Sequence, residues 1–279
     1  ALGAQVYQIV RSNRILREVD VEVVDRFVEA ASHQWNILLE RSLVEIRENG
    51  DGTVTVVIEH DGQVEEIVAD IVLAATGRRS NSDTLKASSF FDVDSRGFIG
   101  TDKYQRVLYN GSPVPGVFAL GDVSSPFQLK HVANHEARTV QHNLSHPDSF
   151  VASDHRFVPA AVFSNPQIAT VGLSEENARK LGEREGFKVT VKTQNYGDTA
   201  YGWAMEDSVG LAKLIARKDT GQLLGAHLVG EESSVLIQPL IQAMSFGLGV
   251  KDMARGQYWI HPALTEVIEN ALLGLDVDN

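Results

Sequence analysis

The sequence contains no cysteine, and that absence excludes several kinds of site. Within this chain there can be no disulfide, no thiolate ligand to a metal and no thiol nucleophile. No apolar run approaches the roughly 18 residues that a membrane-spanning helix requires. The first residues also lack the charged segment and cleavage site of a secretory signal. We therefore predict a cytoplasmic protein with no membrane partner and no metal site.

Positive charge is also scarce, because 25 Lys and Arg residues stand against 37 Asp and Glu residues. The resulting net charge of -12 repels polyanions, so we predict no nucleic-acid partner. A hydrophobic share of 43% with 22% charged residues is typical of a folded globular protein. A length of 279 residues is sufficient for two or three domains. Any phosphate site must depend on a local group of basic residues.

The first region, residues 1–77, has the order of elements expected of a nucleotide-binding α/β domain. QVYQIV predicts a strand, and apolar residues recur at helical spacing from Val19 onward. Two segments of alternating polarity meet at Asp61–Gly62, which predicts a hairpin and hence a β-meander inserted in the domain. IVLAATG, residues 71–77, predicts a buried strand that ends in a glycine turn.

The opening of the chain lacks the strand and glycine-rich turn with which such a domain normally begins. The letters ALG are instead typical of the end of a helix, so we expect further sequence upstream. A second region, residues 78–146, centres on PGVFALGDV, which predicts a short apolar strand ending at Gly121–Asp122. The following segment, QLKHVANHEARTVQHNL, predicts a helix.

The third region, residues 147–279, mixes strands and helices. Ser174 predicts the start of a helix that ends before Gly182. VGLAKLIA and GQLLGAHLVG predict antiparallel strands joined across KDTG. A long helix is predicted over residues 233–246, with its proline either at a kink or near its start. A final helix is predicted from Pro262, with its apolar residues on one face.

The Gly121–Asp122 pair lies where open α/β sheets bind ligands, at the carboxyl end of a predicted strand. Asp122 can accept hydrogen bonds from sugar or ribityl hydroxyls, and Gly121 allows close approach of the backbone. For the dipeptide alone, a turn without a ligand is the more common explanation. The longer string GVFALGDV, followed by a helix, favours a ligand.

Three arginines, Arg11, Arg14 and Arg17, follow the first strand in an otherwise acidic chain. In dinucleotide-binding domains, arginine near the adenosine ribose accommodates the 2′-phosphate of NADP, whereas an acidic residue selects NAD. The alternative is a solvated loop without a ligand. ATGRRSN, residues 75–81, can place a glycine turn beside a cofactor, although alone it is a weak signal.

His261 precedes Pro262, and Glu266 follows five residues after the histidine. Proline disfavours the helical conformation for the residue before it and suits the start of a helix. We therefore expect the His261 ring to fold back over the first turn from outside the helix. A carboxylate beside one ring nitrogen fixes the tautomer and leaves the other nitrogen for proton transfer. His146–Pro147 has no acid at this spacing, and we interpret it as a turn.

Taken in order, these segments resemble the carboxy-terminal two-thirds of a flavoprotein disulfide reductase of the pyridine nucleotide-disulfide oxidoreductase family. The resemblance covers nearly the whole chain: spaced arginines after a strand, an A-T-G turn, a G-D motif and H-P-x-x-x-E at residues 261–266. Within the family, residues 196–207 and 260–275 are most similar to the mycothione reductases.

The resemblance implies a mixed α/β and α+β fold with three parts. These parts are a partial NADPH-binding Rossmann-like domain with a β-meander (1–77), the second segment of an FAD-binding domain (78–146) and an α+β dimerisation, or interface, domain (147–279). It implies FAD and NADPH as cofactors and a homodimer formed through the carboxy-terminal domain. The histidine of one subunit would act on the thiols of the other.

The resemblance also implies roles for individual residues. His261 would be the acid–base histidine, oriented by Glu266, and His261–Pro262 a candidate cis peptide. The implied cofactor-binding residues are Arg11 and Arg17 at the NADPH 2′-phosphate, Gly77 and Arg78 beside NADPH, Gly121 and Asp122 at the FAD ribityl chain, and Gln128, Leu129, Lys130 and His131 along the isoalloxazine ring.

The chain departs from the family pattern, because both glycine fingerprints and the C-x-x-x-x-C redox pair are missing. The resemblance therefore implies only part of an enzyme that reduces a small disulfide, mycothione to mycothiol, with NADPH and FAD. The alternatives are a glutathione, dihydrolipoamide or mercuric reductase-like enzyme, or a noncatalytic dimerisation fragment. The arginines argue against the use of NAD. We expect this chain alone to be inactive.

Overall fold

A computed structural model describes residues 3–278 of the chain. The contacts divide it into two compact units, one formed by residues 1–73 with 159–279 and the other by residues 74–158. Within the described residues, no helix is long and apolar enough to cross a membrane. Ala1 and Leu2, two of the three residues predicted to end a helix, lie outside the described part.

The start of the first unit has the predicted order of strand, helix and strand. Strand β1 (Tyr7–Ile9), helix α1 (Val21–Ser32) and strand β2 (Asn36–Leu38) follow one another, and β1 pairs with β2 in parallel. Asp20 caps α1, because its carboxylate accepts a hydrogen bond from the backbone N–H of Glu22 at 3.1 Å. This strand–helix–strand unit confirms the α/β interpretation of the segment.

The predicted β-meander is confirmed. Strands β3 (Ser42–Glu48), β4 (Val54–His60) and β5 (Gln63–Ala69) form a three-stranded antiparallel sheet. The turn between β4 and β5 is Asp61–Gly62, and both residues adopt positive φ angles of 50° and 78°. A two-residue turn of this kind requires left-handed backbone at both positions, which Asp-Gly tolerates well.

The predicted buried strand at residues 71–77 is wrong. These residues belong to no strand, and Ile71 and Leu73 are each 85% exposed. A buried strand needs a neighbouring strand to pair its backbone N–H and C=O groups. No strand in the described part of the chain pairs with this segment. Apolar composition alone therefore did not determine the structure here.

The second unit contains the predicted strand and helix around the Gly-Asp pair. Strand β6 (Arg106–Tyr109) pairs with β7 (Ser112–Phe118), and a 3-10 turn over Gly121–Val123 leads towards helix α2 (Lys130–Ser145). A small apolar core lies beneath these elements, formed by Ala87, Ile99 and Val107 with Phe91, Val93, Val117, Ala119 and Val123 packed against it.

The rest of the first unit is built on a five-stranded antiparallel sheet. In spatial order its strands are β10 (Val189–Asn195), β11 (Leu211–Arg217), β12 (Leu223–Gly230), β9 (Gln167–Gly172) and β8 (Ala160–Val162). The antiparallel pairing of β11 with β12 across KDTG is as predicted.

Six helices accompany this sheet. They are α3 (Glu175–Glu185), α4 (Ala200–Ala204), α5 (Ser233–Leu236), α6 (Gln238–Phe246), α7 (Val250–Arg255) and α8 (Glu266–Leu273). Ser174 caps α3 as predicted, but the prediction that α3 ends before Gly182 is wrong. The helix ends at Gly186, whose φ is +79°, while a Cβ on Gly182 would lie 2.7 Å from the carbonyl oxygen of Phe187. The close approach of Phe187 explains why residue 182 is a glycine, and local sequence does not reveal this contact.

Two other helix boundaries also differ from the prediction. The single long helix is divided into α5 and α6, and Pro239 lies in the first turn of α6, one of its two predicted positions. The final helix begins at Glu266 rather than Pro262, because turns occupy the residues between them. Its predicted apolar face is buried, through Val267, Ile268, Ala271 and Leu272.

Helix α1 packs onto β11 and β12 beside a group of charges that we call the Lys213 cluster, formed by the buried Asp20 and Lys213 and the more exposed Glu22 and Glu175. The ammonium of Lys213 lies 2.9 Å from Asp20, 3.0 Å from Glu22 and 2.7 Å from Glu175. The side chains of Lys213 and Asp20 are only 4% and 1% exposed. Asp20 also accepts the backbone N–H of Glu175 at 3.0 Å, so one carboxylate joins α1, α3 and β11.

Burial opposes the charge on Lys213, but hydrogen bonds to Glu175, Asp20 and Glu22 outweigh it, so the pKa of Lys213 is raised above its usual range. Burial likewise opposes the charge on Asp20. The backbone N–H of Glu175 and the ammonium of Lys213 outweigh that effect and lower the pKa of Asp20. Both groups therefore remain ionised near neutral pH.

His227 lies next to Lys213 in the sheet and is almost completely buried. Its Nε2 donates to the carbonyl oxygen of Leu173 at 2.9 Å, so its Nδ1 accepts from the hydroxyl of Thr170 and the ring is neutral. Burial lowers the pKa of His227, and the charge of Lys213 lowers it further. The Leu173 carbonyl and Asp20 act in the opposite direction without reversing the shift.

Replacing Lys213 with methionine should destabilise the first unit strongly. The change leaves the carboxylate of Asp20 buried without its cation, which typically costs about 3–5 kcal/mol of the free energy of unfolding. Urea denaturation of the chain measures this loss. Lys218→Met is the matched control, because Lys218 pairs with Asp276 at the surface, and its effect should be much smaller. Equal losses in the two variants would contradict a special role for the buried cluster.

The free energy of unfolding should depend on pH through His227. Its pKa in the folded chain lies below the usual value of 6.5, so the unfolded chain binds the proton first as the pH falls. Stability should therefore decrease below about pH 6.5, by up to about 1.4 kcal/mol per pH unit. Carboxylates with lowered pKa values change the free energy of unfolding only at lower pH. Urea denaturation between about pH 5 and 7 therefore measures the pH dependence that His227 causes. His227→Gln should flatten the dependence, and the exposed control His146→Gln should not.

Candidate active site

His261 and Glu266 form a hydrogen-bonded pair at the start of α8. Nδ1 of His261 lies 2.8 Å from one carboxylate oxygen of Glu266, and the other oxygen accepts the backbone N–H of Ala263 at 3.2 Å. The His261–Pro262 peptide is cis, as predicted. The histidine stands outside the helix and folds back over its first turn, also as predicted.

The chemistry of this pair follows from its hydrogen bonds. The hydrogen bond from His261 lowers the pKa of Glu266, and the N–H of Ala263 adds to this against the opposing effect of burial. An ionised carboxylate only accepts, so Nδ1 of His261 carries the proton and Nε2 is left for exchange with another group. The side chain of His261 is 68% exposed, which keeps the ring accessible. The pair is therefore suited to acid–base chemistry.

The loop after β1 presents two of its three arginines to solvent. Arg14 donates a hydrogen bond to the backbone oxygen of Arg17 at 2.7 Å, and Ser12 donates to the oxygen of Arg14 at 2.9 Å. These bonds fix the loop from within. Arg11 and Arg17 are exposed, and within the described residues neither belongs to an ion pair of 4 Å or less. Their guanidinium groups are available to an anionic ligand.

The structure brings together two residues whose predicted roles concern different cofactors. Arg78, predicted beside NADPH, donates to the carboxylate of Asp122, predicted at FAD, at 3.0 Å. Both side chains are substantially exposed. Gly121 has a φ of +70°, and a Cβ there would lie 3.1 Å from Cβ of Ala133. Gly77 also has a positive φ, of 131°, but no atom approaches the position of its missing Cβ within 4 Å.

Residues 128–131 form the entry to α2. Gln128 adopts a positive φ of 50°, and the extended Leu129 precedes the helix without a side-chain cap. Lys130 is bonded to Asn134 one turn later along the helix. The described residues place these four positions at a helix N-terminus, where backbone N–H groups point out of the first turn.

Sequence reasoning missed two residues beside the Gly121–Asp122 turn, Glu136 and His155. Glu136 is 1% exposed, and its two oxygens bond to the backbone N–H of Gly121 at 2.6 Å and to Nε2 of His155 at 2.9 Å. One signal was present in the sequence. Glu136 lies four residues from both Val132 and Val140, and so falls on the apolar stripe of α2. His155 had no comparable signal, because 19 residues separate it from its partner.

The chain resembles one family of proteins throughout its length. The sequence profile described as "Pyridine nucleotide-disulphide oxidoreductase" matches residues 1–137. The profile for the dimerisation domain of the pyridine nucleotide-disulphide oxidoreductases matches residues 158–272.

In the described part of the chain, no group of three or more His, Asp or Glu side chains is arranged to hold a metal ion.

Individual relatives agree with these matches. The chain is 52% identical over 280 residues to mycothione reductase of Mycobacterium tuberculosis, an alignment that covers 99% of this chain and 58% of that protein. It is 30% identical over 280 residues to mercuric reductase of Staphylococcus aureus, covering 99% of this chain and 49% of that protein. The chain thus spans about half the length of these relatives.

Solved structures give the same fold. The flavoprotein disulfide reductase RclA from Escherichia coli, described as HOCl-induced, superposes with a TM-score of 0.84 at 24% identity, over 98% of this chain and 60% of that one. LpdA from Mycobacterium tuberculosis superposes with a TM-score of 0.82 at 21% identity, over 98% of this chain and 56% of that one. Fold, sequence profiles and relatives agree, and the chain is a member of the pyridine nucleotide-disulphide oxidoreductase family.

Proposed function

We propose that this chain is the carboxy-terminal part of an NADPH- and FAD-dependent reductase of mycothione, and that His261 and Glu266 are its acid–base pair. The proposal is supported by the 52% identity to a mycothione reductase. The glycine fingerprints and redox cysteines would lie in sequence outside this chain. We call the complete protein, including that sequence, the whole enzyme.

The geometry of His261 and Glu266 is the observation that carries the proposal. Reducing a disulfide to two thiols consumes two electrons and two protons, whereas a hydride supplies two electrons and only one proton. NADPH and FAD, when bound, would supply the electrons. The remaining proton must be delivered by an acid, and Nε2 of His261 is exposed while Nδ1 is held by Glu266 at 2.8 Å. The pair therefore suits protonation of a departing thiolate.

The second unit offers a site that fits the ribityl part of FAD. The carboxylate of Asp122 is exposed and can accept hydrogen bonds from hydroxyl groups. Gly121 has no side chain to obstruct close approach, and its backbone is fixed by Glu136. Arg78 is bonded to Asp122, so it would orient that carboxylate rather than contact NADPH directly.

The loop after β1 fits the 2′-phosphate of NADPH. A phosphate of this kind needs cations that are not already neutralised, and Arg11 and Arg17 meet this condition. Arg14 is used differently, because its guanidinium is bonded to the backbone of the loop. We therefore assign recognition to Arg11 and Arg17 and stiffening of the loop to Arg14.

Dimerisation through the carboxy-terminal region is supported by the matching dimerisation-domain profile. The residues that precede the His261–Glu266 pair are apolar and exposed, notably Tyr258 and Ile260. Exposed large apolar side chains near a polar site are typical of an interaction surface. A second copy covering them would bring the exposed ring of His261 to the partner subunit, where the thiols are proposed to lie.

Replacing His261 with glutamine should separate proton transfer from electron transfer in the whole enzyme. We expect turnover of mycothione to fall by about 10²- to 10⁴-fold, because general acid catalysis contributes about this much. Reduction of the bound flavin by NADPH, followed by stopped-flow absorbance, should keep its rate because no thiolate is protonated in that step.

His146→Gln is the matched control for this experiment, since His146 also precedes a proline but has no carboxylate partner at the same spacing. It should leave both rates unchanged. Wild-type enzyme that carries no flavin, or that does not reduce mycothione, would refute the proposed function. A colourless protein that dimerises would instead support the noncatalytic alternative. Equal loss of both rates in His261→Gln would refute the role of the histidine.

Replacing Arg11 and Arg17 with glutamine should weaken the preference for NADPH. A hydrogen bond to a charged group contributes about 1.5–3 kcal/mol, so KM for NADPH should rise about 10- to 100-fold per arginine. KM for NADH should change little, because NADH lacks the 2′-phosphate. Arg47→Gln, which removes an exposed arginine of the meander, is the charge-matched control. A wild-type preference for NADH would contradict the assignment.

A further inference from the structure

We infer that Glu136 is a positioning residue for the Gly121–Asp122 turn, and that His155 supports it by holding the second carboxylate oxygen. The inference rests on the proposed function, because that turn is the proposed FAD site. All of these residues lie in the second unit. Neither Glu136 nor His155 is predicted to contact the cofactor, so both act through the turn.

Glu136 uses both of its oxygens. One accepts the backbone N–H of Gly121 at 2.6 Å, and the other accepts from Nε2 of His155 at 2.9 Å. A buried carboxylate is costly unless such bonds satisfy it, and an apolar residue would fill this position on α2 without that cost. The helix has valines one turn before and one turn after, at Val132 and Val140. A charge in this stripe therefore points to a task beyond packing the helix.

That task concerns the conformation of Gly121. Its φ of +70° lies in the left-handed region that favours glycine, and a Cβ there would meet Cβ of Ala133 at a tight 3.1 Å. Its N–H is held by Glu136, while its carbonyl oxygen accepts the N–H groups of Ser124 at 2.9 Å and Ser125 at 2.7 Å. Both peptide groups beside Gly121 are therefore fixed. The backbone that carries the next residue, Asp122, is held in place with them.

His155 belongs to a segment that is attached to α2 at several points. The N–H of Asp154 donates to His135 at 3.3 Å, and Asn143 bonds with both backbone groups of Val151. The ring of His155 also packs against Phe127, with 5.4 Å between ring centroids. This segment shields the carboxylate of Glu136 and supplies its second hydrogen bond.

The first experiment measures the FAD dissociation constant of the whole enzyme by flavin fluorescence. Glu136→Ala should raise it about 10- to 100-fold, the range expected when a hydrogen bond to a charged group is lost. Glu136→Gln should recover most of the affinity, because its amide oxygen can still accept the N–H of Gly121. Thr139→Ala is the matched control, since Thr139 is also a buried polar residue of α2, and its hydroxyl donates to the backbone oxygen of His135 in the same helix.

Thr139→Ala should lower the free energy of unfolding but change the FAD dissociation constant less than threefold. If Thr139→Ala weakens FAD binding as much as Glu136→Ala, Glu136 only stabilises the helix and the inference is overturned. The same conclusion holds if Glu136→Gln binds FAD no better than Glu136→Ala, because rescue by the conservative variant is the signature of positioning.

The second experiment does not depend on FAD, so it separates this inference from the proposed function. In nuclear magnetic resonance spectra of the chain, the Gly121 amide proton should be shifted downfield and protected from exchange, as expected for a short bond to a carboxylate. Glu136→Ala should abolish both features and Thr139→Ala should preserve them. An unchanged Gly121 signal in Glu136→Ala overturns the inference. Absence of FAD from wild-type enzyme overturns the proposed function instead.

Discussion

The buried ammonium of Lys213 is the interaction on which the first unit depends. It joins Asp20 and Glu22 at the start of α1 to Glu175 at the start of α3, although Asp20 and Glu175 are 155 residues apart in sequence. Apolar side chains of α1 pack in one cluster with Leu211 of β11 and Val229 of β12, but apolar packing is non-directional. The charges add direction, because the almost fully buried Asp20 bonds both to Lys213 and to the N–H of Glu175.

The two carboxylates at the candidate sites work in a similar way. Glu136 and Glu266 each accept one backbone N–H and one imidazole N–H, so each fixes a turn and a histidine together. They differ in burial. Glu136 is inaccessible and its histidine is partly covered, whereas His261 is largely exposed. The same set of groups therefore forms a buried contact in one place and leaves an accessible ring in the other.

Local signals predicted those parts of the structure that local forces determine. The Asp61–Gly62 hairpin, the Ser174 cap and the folding of His261 over Glu266 each depend on neighbours within a few residues. Long-range contacts were missed. The Lys213 cluster and the Glu136–His155 pair join distant segments, and residues 71–77 have the composition of a strand but no strand beside them. Periodicity describes one segment at a time, so it cannot supply a partner.

The division of chemistry follows from which groups the chain contains. With no cysteine, the chain cannot carry electrons through thiols, and its proposed part is to move protons through His261. The reduction of a disulfide requires both, and the exposure of His261 suits a reacting group that arrives from elsewhere. The proposed role needs a histidine that is held at one nitrogen, as Nδ1 of His261 is held by Glu266. A ring bonded at both, like the buried His227, has no nitrogen left for a substrate and serves the fold instead.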